Sequence, residues 1–199
     1  MSAREKILGA VRAALRDVDP STVPARPAAR RTPPPDREKL VRRFLERVAD
    51  YQATVLRCAA ADLAAEIARA LPPTGVVVPA GLEWSVPGSR DGDQVTDREL
   101  DQVSAVLTTA TVAIAETGTL VLDHGPGQGR RALTLVPDRH VCVVRADQIV
   151  ADVPDAIARL DPARPTTWIS GPSATSDIEL NRVEGVHGPR HLTVIVADR

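Results

Sequence analysis

Apolar residues recur at helical spacing at two places near the start of the chain. Ser2 and Glu5 have the spacing of a capping box, and the positions after them predict an amphipathic helix over residues 3–17. Asp36 is the predicted N-cap of a second helix. The two apolar stripes consist of Ile7, Leu8, Val11, Leu15 and Val18, and of Leu40, Val41, Phe44, Leu45 and Val48.

The segment between these helices has a different composition. Residues 19–35 contain six prolines and no apolar period, which is typical of an extended linker. We therefore expect an N-terminal arm of residues 1–35, made of the amphipathic helix and the linker, and a compact domain of residues 36–199. Because the stripe of the first helix needs a surface to pack on, the arm is a candidate for contacts in a homo-oligomer.

From residue 53 onward, strand-like and helix-like patterns alternate. The alternation favours an α/β domain with a mixed, largely parallel sheet of about seven strands and helices on both sides. Helices are predicted over residues 60–71, 97–107 and 147–160. Strands are predicted over residues 53–58, 75–80, 111–115, 119–123, 132–137, 140–145, 166–170 and 191–198.

Composition and charge exclude several kinds of partner. Aromatic residues make up 2% of the 199 residues, so few rings are available to stack on nucleic-acid bases. No apolar run reaches the roughly 18–20 residues of a membrane span, and no secretory signal is recognisable. We expect a cytoplasmic protein that binds neither nucleic acid nor membrane. Residues 1–47 carry 12 Lys or Arg and 6 Asp or Glu, whereas the rest carries 13 and 20, so a basic arm can meet an acidic partner or the acidic body of its own chain.

The cysteines and histidines give little support to a metal site. Cys58 and Cys142 are 84 positions apart and lie in apolar settings without C-x-x-C spacing. His187 and His191 have no nearby cysteine or fixed carboxylate partner. We therefore predict two buried thiols, and neither a metal nor a cofactor in this chain.

Glu116 is the candidate catalytic residue. It lies between two apolar runs and is followed by Thr117 and Gly118. Desolvation at a strand end disfavours the ionised form of a carboxyl group, which suits a general base or a nucleophile. The structural alternative is that Glu116 caps a turn or pairs with Arg130 or Arg131.

The loop HGPGQGRR, residues 124–131, is a candidate ligand-binding segment, which we call the glycine-arginine loop. Glycine amides and two guanidinium groups can hold a carboxylate or a phosphate. A plain hairpin loop has the same composition, but eight residues exceed what a tight turn needs. The residues predicted to bind a ligand in and before this loop are Thr117, Gly118, Gly125, Gly127, Gly129, Arg130 and Arg131.

Small polar residues after the predicted strand 166–170 form a further candidate. Ser170, Gly171, Ser173 and Asp177 lie beyond the carboxyl end of a strand, where open α/β sheets usually bind ligands. His187 follows and is also a candidate ligand-binding residue. Such residues also make ordinary turns. We expect them to border one pocket with Glu116 and the glycine-arginine loop, facing an anionic ligand.

Four ordered blocks resemble one known family. They are AIAETGTLVLD with GPGQGRR, LVPDRHVCVVRADQIV, SGPSATSDIEL and VEGVHGPR. From roughly Val76 to Ala197 the chain resembles the lactate utilization protein C family, the stand-alone form of the LUD domain. The resemblance implies a fold similar to the sugar-phosphate isomerase and CoA-transferase (NagB/RpiA-like) superfold. It also implies a role in the oxidation of L-lactate to pyruvate with two iron–sulfur partner proteins.

Two classes of function follow from the resemblance. In the first, the iron–sulfur clusters belong to the partners, and this chain is a non-redox subunit that binds a small organic acid or assembles the complex. In the second, the chain is an independent isomerase or acyl/CoA-transferase-type enzyme that uses Glu116. The sequence leaves open whether the chain is an enzyme by itself.

Overall fold

The computed structural model describes residues 2–19, 36–175, 183–184 and 187–198. The chain divides into two compact units, Met1–Thr32 and Pro33–Arg199. In the first unit, helix α1 (Ala3–Ala14) begins with the predicted capping box: Ser2 Oγ accepts a hydrogen bond from the Glu5 amide, and the Glu5 carboxylate accepts one from the Ser2 amide. None of the residues of α1 is buried.

The second unit contains the other described elements. Its helices are α2 (Arg37–Asp50), α3 (Leu63–Ala70), α4 (Asp97–Leu100) and α5 (Val153–Ile157). Its strands are β1 (Thr54–Cys58), β2 (Val76–Val78), β3 (Arg90–Asp91), β4 (Ala105–Thr109), β5 (Val112–Ile114), β6 (Thr119–Leu122), β7 (Arg139–Arg145), β8 (Ile149–Val150), β9 (Thr167–Ile169), β10 (Ala174–Thr175), β11 (Val183–Glu184) and β12 (His191–Ala197).

Six of the described strands form a sheet in the order β1-β12-β7-β4-β2-β3, and every neighbouring pair in it is parallel. Its central strands are nearly continuous runs of apolar residues because both faces are covered. One face packs on α3 through Leu63 and Ile67. The opposite face packs on α2 through Val41, Phe44 and Val48.

A second sheet lies on the α2 side of the first. Its strand order is β8-β5-β6-β9, with β6 antiparallel to both β5 and β9. Leu120 and Leu122 of β6 share a hydrophobic cluster with α2 and with Cys142 and Val144 of β7. The predicted α/β class, with a largely parallel sheet and helices on both sides, is confirmed.

Three predicted elements differ from the structure. The helix predicted over 97–107 ends at Leu100, because the Ser104 amide donates to the Gly75 carbonyl and the following residues enter the parallel sheet as β4. Strand β4 is buried on both faces, so it lacks the alternation that identifies a half-exposed strand.

The other two errors concern short apolar runs. The strand predicted over 132–137 is a 3₁₀ turn at Arg131–Thr134, which inserts Leu133 into the core beside Val77 and Val106. The helix predicted over 147–160 is replaced by β8 and the short α5, because Ile149 and Val150 pair with β5 and Pro154 favours a helix start.

Candidate functional site

A cleft of about 370 Å³ opens between the two sheets. We call it the inter-sheet cleft. One wall comes from the amino-terminal ends of β7 and β12, and the other comes from β9 and the segment after it. Its lining residues are Arg131, Thr134, Leu135, His140, Thr166–Ser173, His187–Pro189 and Leu192. Ser170 does follow the carboxyl end of a strand, as predicted, but that strand belongs to the second sheet.

Arg131 supplies positive charge to the inter-sheet cleft. It is exposed, and no carboxylate of the described residues pairs with it. Ser170 and Ser173 line the same cleft, and the buried Thr134 beside them donates its hydroxyl group to the Arg131 carbonyl. A guanidinium group beside hydroxyl groups is well suited to bind a small anion.

The segment Ser170–Ser173 is held in place by local contacts. Gly171 has a φ of +86°, and a Cβ on it would lie 2.5 Å from Tyr51 Cβ, so this position requires glycine. Ser173 Oγ accepts a hydrogen bond from the His187 amide at 3.2 Å, which joins the two segments that line the cleft.

A chain of hydroxyl groups connects the inter-sheet cleft with the turn between β5 and β6. Ser170 Oγ lies 2.8 Å from Thr119 Oγ1, which in turn lies 2.7 Å from Thr117 Oγ1. Of the residues predicted around Glu116, Thr117 is therefore linked to the cleft through two hydrogen bonds.

Glu116 itself does not line the inter-sheet cleft. Its side chain is exposed, and its carboxylate lies 3.8 Å from the guanidinium group of Arg43 on α2. Gly118, with a φ of +61°, packs so closely on α2 that a Cβ would lie 2.8 Å from the Arg47 carbonyl carbon. The turn is thus fitted to α2, and the four residues of β6, about 13 Å of strand, separate it from the glycine-arginine loop.

Three amides of the glycine-arginine loop, those of Gly125, Gly127 and Gln128, donate hydrogen bonds within the protein. The Gly125 amide donates to Asp123 Oδ1 at 3.2 Å, and the Gly127 amide donates to the Ala80 carbonyl at 2.8 Å. The carbonyl of Gly129 accepts from His124 Nδ1 at 2.9 Å. The loop therefore binds a carboxylate of its own chain, Asp123.

Asp123 is the centre of a buried polar network that shapes this loop. Its carboxylate accepts from Thr111 Oγ1 at 2.7 Å and pairs with Arg164 at 2.9 Å. Gln128 accepts from the Asp123 amide at 2.7 Å and donates to Thr111 Oγ1 at 2.8 Å. The residue types of the loop therefore have a structural role in this network, in addition to the predicted role in ligand binding.

Arg130 lies apart from the inter-sheet cleft. Its guanidinium group pairs with Asp97 and donates to the Val95 carbonyl. It borders a second cleft of about 390 Å³ after the carboxyl ends of β2 and β3, where Gly125 and Gly129 also lie. The expected single pocket is therefore divided, with Arg131, Ser170, Gly171, Ser173 and His187 in the inter-sheet cleft. Asp177 lies outside the described residues.

His140 is a cleft residue that was not predicted from the sequence. It is 1% exposed, and its Nε2 lies 2.7 Å from Thr108 Oγ1 of β4. Burial lowers the pKa of His140 to about 4, so the ring is neutral at physiological pH. A histidine inside the apolar run of β7 was the available signal, because a polar side chain in a buried strand needs a partner.

The described residues contain no cluster of three or more His, Cys, Asp or Glu side chains with the arrangement of a metal site. Burial raises the pKa of the Cys142 thiol to about 12 and raises that of Cys58, so both are poor nucleophiles. None of the described helices is long and apolar enough to cross a membrane.

Known proteins resemble this chain over most of its length. The family model of the LUD domain matches residues 36–197. Lactate utilization protein C of Deinococcus radiodurans is 46% identical over 204 residues, which cover 98% of this chain and 95% of that protein. Lactate utilization protein C of a Geobacillus species is 34% identical over 109 residues, which cover 50% of this chain and 44% of that protein. The chain thus spans less than half of the Geobacillus relative.

A solved structure has the same fold. The crystal structure of a DUF162 family protein from Deinococcus radiodurans superimposes with a TM-score of 0.71 at 42% identity. The match covers 82% of this chain and 99% of that chain.

Proposed function

Because the chain belongs to the LUD domain family, we propose that it acts in lactate utilization, as a non-redox subunit that binds a small organic acid in the inter-sheet cleft. The family membership confirms the resemblance predicted from the four sequence blocks. The name of the Deinococcus relative, whose match covers nearly all of both chains, supports the proposed pathway.

The main support for the proposal is that Arg131 lines the cleft without an ion-pair partner in the part of the chain that the structure describes. This guanidinium group has no carboxylate partner among the described residues and shares the cleft with the hydroxyl groups of Ser170 and Ser173. A bidentate pair with a carboxylate satisfies such a group. Leu135 and Leu192 provide apolar surface for a short carbon chain. The cleft volume lies within the range of small-molecule sites.

Oxidation of lactate to pyruvate releases two electrons and two protons, so an electron acceptor is required. The sequence contains two cysteines, and an iron–sulfur cluster needs about four ligands. We therefore assign the electron transfer to iron–sulfur partner proteins and the binding of the acid to this chain. The basic arm of residues 1–35 is the segment proposed to contribute to assembly with partners or with a second copy.

Complementation combined with a ligand screen tests the proposal. A strain that lacks this gene should regain growth on lactate with the wild-type chain but not with Arg131→Ala, while both chains accumulate to the same level. In a thermal-shift screen of the purified protein, lactate or pyruvate should raise the melting temperature. A response to CoA esters or sugar phosphates alone would instead favour the transferase or isomerase alternative.

A further inference from the structure

His140 occupies an unusual position at the base of the inter-sheet cleft. Its imidazole ring is almost completely buried, yet the described residues provide a hydrogen-bond partner for only one of its nitrogens, Nε2, which lies 2.7 Å from Thr108 Oγ1. Nδ1 is not among the completely buried polar atoms that lack a hydrogen bond, so this nitrogen keeps access to the cleft that His140 lines. A ring nitrogen that is accessible from a cleft and has no partner in the protein can hydrogen-bond a ligand.

The charge states of His140 and Arg131 determine which group of a ligand each residue can bind. His140 is neutral at physiological pH because burial lowers its pKa, so it cannot form an ion pair with a carboxylate. Arg131 is charged and exposed at the same cleft. The carboxylate of a ligand thus belongs with Arg131, and the neutral ring suits an uncharged oxygen.

Two serine hydroxyl groups of the cleft also have hydrogen bonds within the protein. Ser170 Oγ is hydrogen-bonded to Thr119 Oγ1, and Ser173 Oγ accepts from the His187 amide. Thr108 is completely buried in β4 and fixes the orientation of the His140 ring from the opposite side. His140 is therefore rigidly placed, with Nδ1 as its remaining hydrogen-bonding atom.

We propose that His140 hydrogen-bonds the oxygen on the carbon next to the ligand's carboxylate, so that the inter-sheet cleft selects α-hydroxy and α-keto acids over plain carboxylic acids. This inference rests on the proposed function and narrows its ligand to a chemical class. His140 acts here as a specificity-determining residue, and Thr108 acts through it as a positioning residue.

The test compares acids that differ by one oxygen. Propionate is lactate without the hydroxyl group, and pyruvate carries a keto oxygen at the same carbon. The wild-type chain should bind lactate or pyruvate roughly 3- to 10-fold more tightly than propionate, the effect of one net hydrogen bond. Isothermal titration calorimetry at constant pH measures all three dissociation constants.

Two conservative variants separate the two ring nitrogens. His140→Asn places a polar atom where Nδ1 lies, and His140→Gln places one further out, near the position of Nε2. His140→Gln should lose the preference for the oxygenated acids while its affinity for propionate is unchanged, whereas His140→Asn should keep part of the preference. His191→Gln, at an exposed histidine outside the cleft, is the matched control and should behave as wild type.

Several outcomes overturn the inference. One is equal affinity of the wild-type chain for all three acids, with binding still dependent on Arg131; the proposed function then stands. Another is a uniform loss of affinity in His140→Gln, which would make His140 a structural residue. If none of the acids binds to the wild-type chain, the proposed function fails and the inference fails with it.

A spectroscopic measurement keeps the test decisive if the variants do not fold. In ¹⁵N-labelled wild-type protein, the Nδ1 resonance of His140 should shift on addition of lactate or pyruvate and stay in place with propionate. An unchanged Nδ1 resonance with all three acids overturns the inference.

Discussion

Arg130 and Arg131 are consecutive in the chain but belong to different clefts. Arg130 is anchored to Asp97 and to the Val95 carbonyl and lines the cleft after the carboxyl ends of β2 and β3. Arg131 begins the 3₁₀ turn after it and lines the inter-sheet cleft. The glycine-arginine loop is therefore a wall between two clefts, and the two arginines have separable roles.

Glu116→Gln tests whether the carboxylate predicted to be catalytic has a function. The side chain is exposed and makes one long contact with Arg43, so the free energy of unfolding should change by less than about 0.5 kcal/mol. Binding of lactate and pyruvate should also be unchanged, since Glu116 lies outside the inter-sheet cleft. Denaturant unfolding and calorimetry measure both quantities. Loss of growth on lactate with binding intact would assign Glu116 a role in a later step.

Gly118→Ala should destabilise the α/β unit by about 2–4 kcal/mol. The new Cβ meets the backbone of Arg47 and Val48 at 2.8–2.9 Å, and a φ of +61° is unfavourable for alanine. Gly9→Ala in α1 is the control, because no atom lies within 4 Å of its Cβ. Urea unfolding of both variants checks this, and an unchanged midpoint for Gly118→Ala would mean that the turn is not fitted to α2.

Folding stability should decrease as the pH falls from 7 to 5, owing to His140. The unfolded chain takes up a proton at this histidine below its ordinary pKa of 6.5, whereas the folded chain does so only near pH 4. The stability contributed by the neutral ring is therefore present above pH 6.5 and is lost toward pH 4, by about 2 kcal/mol at pH 5.

His140→Gln should remove most of this dependence, and His191→Gln should not. This pH window lies above the one in which carboxylates such as Glu99 contribute to folding stability. Hydrogen bonds from Thr96 lower the pKa of Glu99 to about 2. Urea titrations at pH 5, 6 and 7 measure the slope. The same slope in His140→Gln as in the wild-type chain would argue against a buried neutral histidine.

Deletion of residues 1–35 should leave the melting of the α/β unit unchanged. Helix α1 has no buried residues, and Ile7 and Val11 on it and Leu15 at its C-cap are exposed. The deletion should weaken self-association or partner binding, and this loss should depend on salt because the arm is basic. Analytical ultracentrifugation at low and high salt tests both statements. A large loss of core stability without any change in assembly would contradict them.

Much of the fold was predictable because its elements carry local signals. The caps at Ser2 and Asp36 and the apolar runs of β1, β7 and β12 agree with the structure. Strand β4 was mistaken for the end of a helix because its burial on both faces removes the alternation. Short apolar runs are ambiguous without knowledge of their neighbours.

The candidate site was less predictable because distant parts of the chain form it. Arg130 is drawn away from its neighbour by Asp97, which lies 33 positions earlier. His140 gains its position from Thr108 on another strand and from the second sheet opposite. Residue types and local spacing carry no information about such contacts, whereas the small polar residues Ser170 and Ser173 were recognisable from composition alone.

The most direct test of the inter-sheet cleft is a calorimetric titration of lactate and pyruvate into the wild-type chain, Arg131→Ala and Arg130→Ala. We predict that Arg131→Ala loses about 1.5–3 kcal/mol of binding free energy, the contribution of a hydrogen-bonded charged group. Arg130→Ala should bind as the wild-type chain does, with up to about 1 kcal/mol less folding stability from its lost contact with Asp97. Unchanged binding by Arg131→Ala, or a loss of binding confined to Arg130→Ala, would contradict the assignment of the ligand to this cleft.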